Sequence, residues 1–225
     1  MLQRWFNRTR CTGVGACSIV AVSATRSASG SAVLGVNVDQ PLFSAPPRIA
    51  TTVSDGIVTL AANDHVFVGR NDEGIAVAVV VRREYRRSTA ARLGRMLLPG
   101  RQRINQIGDA VQQHWCGSAT IVAADGSDVR GWNIEDGATR LLSAHGGLLI
   151  VSAGHSNGDP LPGGGWTIEK LARLESMKRV AVDDVRRSLE VVRLGGRTSR
   201  TIVLEPTCGH PLVRDDDFGP LRRSA

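Results

Sequence analysis

The chain is poor in aromatic side chains, lysine and histidine ligand patterns, and it has no long apolar run. Aromatics make up 4% of the 225 residues, so a core has to come from Val, Ile, Leu and Ala. Only Lys170 and Lys178 are lysines; the other basic residues are Arg, a skew that reads as codon bias and discounts part of the basic signal. The longest clean apolar run, Ile75–Val81, falls far short of the roughly 20 residues that span a bilayer. Cysteines stand at 11, 17, 116 and 208 with no CxxC pair, which excludes a disulfide framework for a chain of this length. His65, His114, His145, His155 and His210 lack ligand spacing, and Cys208 with His210 is a lone C-x-H, so no metal site and no cofactor are expected. Gly163-Gly164-Gly165 lacks the Lys-Ser/Thr of a phosphate loop and reads as a mobile loop at the edge of a site.

What is present is ordinary globular composition. Hydrophobic residues are 42%, charged residues 22% and the net charge is +7, with a pI of about 10.2. The Arg cluster at 82, 83, 86, 87, 92, 95, 101 and 103 has only Tyr85 among it, so stacking on single-stranded nucleic acid is unsupported. A solvated helix face is the plainer reading, and neither a nucleic-acid nor a membrane partner is expected. Arg4, Arg8 and Arg10 precede Cys17–Ala24, which ends in Val22-Ser23-Ala24 like a secretory cleavage site. The stretch is short, and the Thr, Gly and Cys before it make a poor apolar region. A bacterial-type cytoplasmic protein is therefore expected rather than a secreted one.

Strands are expected at Cys17–Ser23 and Ala32–Val36, a hairpin whose polar turn pivots at Gly30. One or two more lie in Ile49–Leu60, turning at Asp55-Gly56. Val66–Val68 and Ile75–Val81 pair around Asn71–Gly74, and IAVAVVV, apolar on both faces, should be buried from both sides. Helical spacing marks Ser88–Leu98 and a second helix from Ile104 to about His114. Strands follow at Ala119–Ala124, Val129–Ile134 and Leu148–Ser152, then helices at Thr167–Met177 and Asp183–Val192, then strands at Thr201–Leu204 and Leu212–Arg214. Hairpins dominate and no βαβ alternation occurs. An α+β fold is expected, with antiparallel sheets at the core and helices packed outside. The divisions expected are a short extension or propeptide at 1–16, a domain over 17–214 and a polar tail at 215–225.

Cys17 opens a strand, and the hairpin brings Leu34–Asp39 back beside it. Were the chain cut between Ala16 and Cys17, the freed α-amino group, with a pKa near 7.7–8.0, would sit next to the sulfur as a base. Nucleophile and base would then share one residue, and Asp39 could orient the ammonium. Spacing alone leaves the plainer alternative open, that Cys17 is one more small buried apolar residue.

These segments resemble the N-terminal nucleophile (Ntn) cysteine amidases, closest to the acyl-coenzyme A:6-aminopenicillanic acid acyltransferase-like family and more distantly to the bile-salt hydrolase and penicillin V acylase group. The resemblance is carried by Cys17-Ser-Ile-Val-Ala-Val-Ser, then Leu34-Gly-Val-Asn-Val-Asp39 as G-x-N-x-D, with Val36 where the bile-salt hydrolase group has Arg. Asn71-Asp-Glu-Gly-Ile-Ala-Val, Arg92-Leu-Gly-Arg-Met-Leu-Leu, Ser118-Ala-Thr-Ile-Val-Ala-Ala-Asp-Gly, Gly154-His-Ser-Asn157 and Arg173 follow in the family's order. Cys11-Thr-Gly is a competing start, but it lies 39 − 11 = 28 residues before Asp39, and Gly13 and Gly15 interrupt it. Cys17 lies 39 − 17 = 22 residues before, on an unbroken strand.

The resemblance implies an Ntn-type αββα sandwich, self-cleavage at Ala16–Cys17, and acyl transfer or hydrolysis of a linear amide or thioester through an acyl-Cys17 intermediate. It implies Asp39 as the group orienting the amine, Asn157 as an oxyanion donor, Arg173 as a charge holding the Asp39/Cys17 network, and Asn71 as a substrate contact. The implied partner is a small-molecule amide, ester or acyl-thioester, with coenzyme A thioesters among the anionic donors the Arg cluster would attract. There is also room for a homo-oligomer. The competing class is an uncleaved, non-catalytic relative acting as a basic binding module.

Overall fold

The computed structural model describes residues 17–39, 52–83, 89–114, 117–135, 137–153, 171–193, 198–207 and 211–215. Strand formers dominate these segments, and they build two antiparallel sheets. The first holds β1 (Cys17–Val22), β2 (Val33–Asp39), β10 (Leu148–Ala153), β11 (Thr198–Leu204) and β12 (Leu212–Asp215), in the order β10-β1-β2-β11-β12. The second runs in sequence order through β3 (Thr52–Ser54), β4 (Ile57–Ala62), β5 (Val66–Asn71), β6 (Ala76–Arg83), β7 (Ser118–Ala124), β8 (Val129–Glu135) and β9 (Ala138–Leu142).

Period-2 alternation sorts the apolar residues into three layers. Ile19, Ala21, Leu34, Val36, Val68, Val80, Val122 and Ile202 fill the space between the sheets. On the far side of the seven-stranded sheet, Val77, Val79, Ile121 and Trp132 pack against helices α1 (Ala90–Leu97) and α2 (Ile104–His114). On the far side of the five-stranded sheet, Val20, Val22, Val33 and Val203 pack against Leu171, Leu174 and helix α3 (Val182–Val191). The order of layers is α-β-β-α, as the resemblance implied, with the antiparallel core and outer helices that the hairpin-rich pattern predicts. β6 shows why: Ala76, Ala78 and Val80 face the other sheet while Val77, Val79 and Val81 face the helices. Each such valine contributes roughly 1.5–3 kcal/mol by leaving water, so a run apolar on both faces is stable only in a sheet covered twice.

The helices have local causes. The Thr89 hydroxyl caps α1 by accepting from the Arg92 N–H at 3.2 Å, and Ala90, Leu93, Gly94 and Leu97 form its buried stripe. The turn at Asp55-Gly56 has φ of 52° and 72°, the left-handed pair that tightens β3 onto β4. β9 has no counterpart among the expected strands. Its five residues are exposed or half-buried and lack a clean alternation, so only pairing with β8 defines it. β2 and β11 extend beyond their apolar runs because Asn37, Asp39, Thr198 and Arg200 continue the ladder as buried polar residues. Of the helix expected at Thr167–Met177, Leu171 and Ala172 are helical and residues 173–176 form turns, while 167–170 lie outside the described residues.

Candidate active site

Cys17 is the first residue of β1, an interior strand, and stands opposite Ala153 of β10. Its side chain is fully buried in the inter-sheet cluster. The hairpin register, Ser18 opposite Asn37, brings the end of β2 beside it. The Asp39 backbone N–H donates to the Cys17 sulfur, and the Asp39 carboxylate is close enough for its charge to act on the thiol. Burial pushes the thiol pKa far above its ordinary range, and the Asp39 charge adds to this, against the smaller opposing effect of the N–H bond. In the continuous chain the sulfur is therefore a protonated thiol at neutral pH, and a thiol is not the nucleophilic form.

Asp39 is buried and accepts the Thr198 hydroxyl at 2.5 Å. Thr198 opens β11 at a bulge: it stands opposite Asp39 while Arg200 stands opposite Val38. This irregularity re-aims the strand next to the carboxylate. Arg200 is 5% exposed, alternates with the inter-sheet residues Ile202 and Leu204, and donates to the Leu60 carbonyl of the other sheet at 2.5 Å. A cation is thus buried between the sheets near Asp39, a position the sequence reading missed. The signal was available: Arg200, Ile202 and Leu204 share one face of a β-rich run. Asn37, in the G-x-N-x-D segment, donates to the Leu189 carbonyl of α3 and accepts from the Thr201 hydroxyl, each at 2.8 Å. That Asn ties β2 to its helix layer.

Two other expected site residues, Arg173 and Asn71, stand away from Cys17. Arg173 is exposed in the outer helix layer, and both its Nε and Nη2 donate to Ser188 Oγ of α3 at 3.2 and 3.1 Å. Asn71 ends β5 on the face turned to α1 and α2. Its amide donates to the Leu98 and Arg101 carbonyls, each at 2.8 Å, and its oxygen accepts the Ile75 N–H. Asn157 lies outside the described residues, as do Cys11, Cys116, Cys208, His155 and His210. Among the described residues no group of three His, Cys, Asp or Glu side chains is placed to hold a metal ion, and no helix is long and apolar enough to cross a membrane.

A cavity of about 470 Å³ opens at the other end of the sandwich, lined by Glu73, Gln102, Arg103, Asp125, Arg130 and Thr207 among others. The β7–β8 turn beside it holds the far end of the β1–β2 hairpin, through Ala24 N–H to Ser127 O and Ala32 N–H to Gly126 O. The cavity is therefore one strand length away from Cys17 and belongs to a different part of the molecule.

By sequence, the chain matches no protein-family model and no curated protein. By structure it is similar to a mutant conjugated bile acid hydrolase from Clostridium perfringens, with a TM-score of 0.52 at 9% identity, covering 88% of this chain and 89% of that one. The fold is the Ntn-hydrolase sandwich. Cys17 stands at the head of an interior strand of that sandwich. At this identity the likeness speaks for the fold alone.

Proposed function

We propose that this protein is an Ntn-type cysteine amidohydrolase or acyltransferase acting on a linear amide or thioester through an acyl-Cys17 intermediate, after cleavage of the Ala16–Cys17 bond. The observation that carries the reading is the Cys17–Asp39 pair: a buried sulfur at a strand's first residue, held by the N–H of a buried carboxylate residue. In the continuous chain that sulfur lacks a base. Cleavage would supply one, because the new α-amine, with a pKa of about 7.7–8.0, can take the thiol proton. Asp39, itself fixed by Thr198, would hold the resulting ammonium.

The thiolate then attacks the carbonyl carbon and forms a tetrahedral oxyanion, for which Asn157 is the proposed side-chain donor. Collapse breaks the C–N or C–S bond, and the ammonium returns its proton to the leaving group. Water or an acceptor amine attacks the thioester and restores the thiol. Arg200 would offset the Asp39 carboxylate between the sheets, the part first assigned to Arg173.

The test is mass mapping after incubation with an activated acyl ester. The expected product is a chain beginning at Cys17 and acylated there, with Cys17→Ala inactive. An acylated residue elsewhere, or an active Cys17→Ala protein, overturns the reading. A second reading, an uncut non-catalytic module, is favoured by the high thiol pKa in the continuous chain. An intact mass beginning at Met1, with an unreactive Cys17, would select it. A small acyl donor, coenzyme A thioesters included, and a cytoplasmic setting belong to the same proposal.

A further inference from the structure

The cavity at the end of the sandwich remote from Cys17 has walls fixed by tertiary contacts. Asn71 fastens the β5–β6 turn, which carries Glu73 and Gly74, to the α1–α2 connection, its amide donating to the Leu98 and Arg101 carbonyls. Asp125 fastens the β7–β8 turn to the start of α2 by accepting the Ile104 N–H. Thr207, just beyond β11, sits against both turns: its Cγ2 would stand 3.4 Å from a Cβ on Gly74 and 2.9 Å from one on Gly126. The cavity volume, about 470 Å³, lies in the roughly 300–1,000 Å³ range of small-molecule sites. Walls set in place beforehand spare a ligand the cost of ordering them.

Several polar groups of the lining are already committed. The Asp125 carboxylate accepts the Ser127 N–H and the Asp128 N–H at 2.8 Å and the Ser127 hydroxyl at 2.9 Å, besides the Ile104 N–H. Asp128 accepts the Val129 N–H at 2.8 Å and faces Arg130 Nε at 3.5 Å. Gln106 Oε1 accepts the Gln102 and Arg103 N–H groups, which leaves those amides unavailable to an anion. Glu73 and Arg103 are different. Their side chains make no hydrogen bond or ion pair among the described residues, and both line the cavity. One is an open carboxylate and the other an open guanidinium.

We propose that this cavity binds a small zwitterion, a carboxylate and an ammonium on one short backbone, with Arg103 holding the carboxylate and Glu73 the ammonium. The site is separate from Cys17 and stands whether or not an acyl-Cys17 forms. The signs of the lining select this class. An anion such as phosphate would meet the carboxylates of Glu73, Asp125 and Asp128, and a simple cation would meet the guanidinium groups of Arg103 and Arg130. No three His, Cys, Asp or Glu side chains among the described residues are placed to share a metal ion. Ile104 is the one large apolar side chain among the described lining residues, so a hydrocarbon ligand gains little there. A zwitterion satisfies both open charges at once, and a guanidinium can hold its carboxylate by two parallel N–H bonds.

The experiment follows the backbone amide resonances of the labelled full chain at low ionic strength while glycine, glycylglycine and triglycine, zwitterions of increasing charge separation, are titrated in. The tightest of them is then compared with its N-acetylated and its C-amidated form, each of which lacks one charge. Because Glu73 and Arg103 are exposed, and exposed charge pairs are weak, the expected dissociation constant of the best zwitterion is about a millimolar or somewhat tighter. Its shifts should centre on Glu73–Gly74 and Gln102–Asn105. Each capped form, and each of the variants Glu73→Gln and Arg103→Gln, should weaken binding by about tenfold. Spectra unchanged elsewhere establish that the variants are folded. No binding of any of the three at roughly 10 mM overturns the site. Shifts centred on other residues, or variants that bind as tightly as wild type, overturn its location. A capped form that binds as tightly as the zwitterion overturns the ligand class.

Discussion

Asn71 offers a sharp test, because the family resemblance makes it a substrate contact while the fold makes it a clasp. Its buried amide joins the end of β5 to the connection between α1 and α2, and its oxygen closes the β5–β6 turn on the Ile75 N–H. Asn71→Ala leaves three backbone groups without that partner. The Leu98 carbonyl keeps the Arg101 N–H at 3.3 Å, so the Ile75 N–H and the Arg101 carbonyl bear most of the loss. An unsatisfied buried group costs about 1–3 kcal/mol. Water reaches the half-buried Arg101 segment, which holds the sum for the two groups to about 2–4 kcal/mol. For a chain of this size each kcal/mol moves Tm by about 2–4 °C, giving a fall of about 4–16 °C. Asn71→Asp should be at least as damaging, since it turns a carboxylate toward two carbonyls. The assay is urea unfolding with a fitted midpoint and slope, beside KM for any substrate turned over. Stability within about 0.5 kcal/mol of wild type together with a raised KM would refute the clasp and restore Asn71 as a substrate contact.

Four further outcomes are expected. The folded state raises the Cys17 pKa, so the continuous chain favours the protonated thiol; this stability is intact below the unfolded thiol's value of about 8.5 and is lost as pH rises past it. The alkaline limb of a stability–pH curve should therefore be steeper in wild type than in Cys17→Ala. Asp125 behaves oppositely: burial alone would raise its pKa, but bonds from the N–H groups of Asp128, Ser127 and Ile104 and from the Ser127 hydroxyl hold it below the usual carboxylate range. Its contribution is present above about pH 4 and lost as pH falls through the lower folded value, so Asp125→Ala should flatten the acid limb measured by thermal unfolding. Gly35→Ala would place a methyl 2.5 Å from Val185 and 2.8 Å from Leu189, pushing α3 off the sheet; overpacking of this kind costs about 1–3 kcal/mol, and an unchanged urea midpoint would refute the close approach. Thr198→Val removes the hydroxyl that fixes Asp39, and if the chain is cleaved as proposed it should lower kcat more than it raises KM, checked by steady-state kinetics on one p-nitroanilide.

Much of the fold was legible because its signals are local. The two-faced apolar run at Ile75–Val81, the Asp55-Gly56 turn and the helical stripe beginning at Ala90 each depend on residues within a few positions of one another. β9 was not legible, since its exposed residues acquire strand form only by pairing with β8. The site divides the same way. Cys17 and Asp39 could be placed together because one hairpin joins them, and a hairpin register is read from a turn and two short runs. Arg173 and Asn71 could be located on their elements, but which face each would present, and to what, depends on how the layers stack.

The amino-acid order alone determined a hairpin-rich antiparallel core with helices packed outside, and a cysteine at the head of its first strand with Asp39 brought back beside it. Alternation of apolar side chains and turn chemistry act over a few residues and survive without the rest of the chain. Only the packed molecule decided that Arg200 lies buried between the sheets, that Arg173 belongs to the outer helix layer, and that Asn71 clasps the connection between α1 and α2. Those positions depend on sheets and helix layers meeting face to face, a stacking that no local pattern encodes.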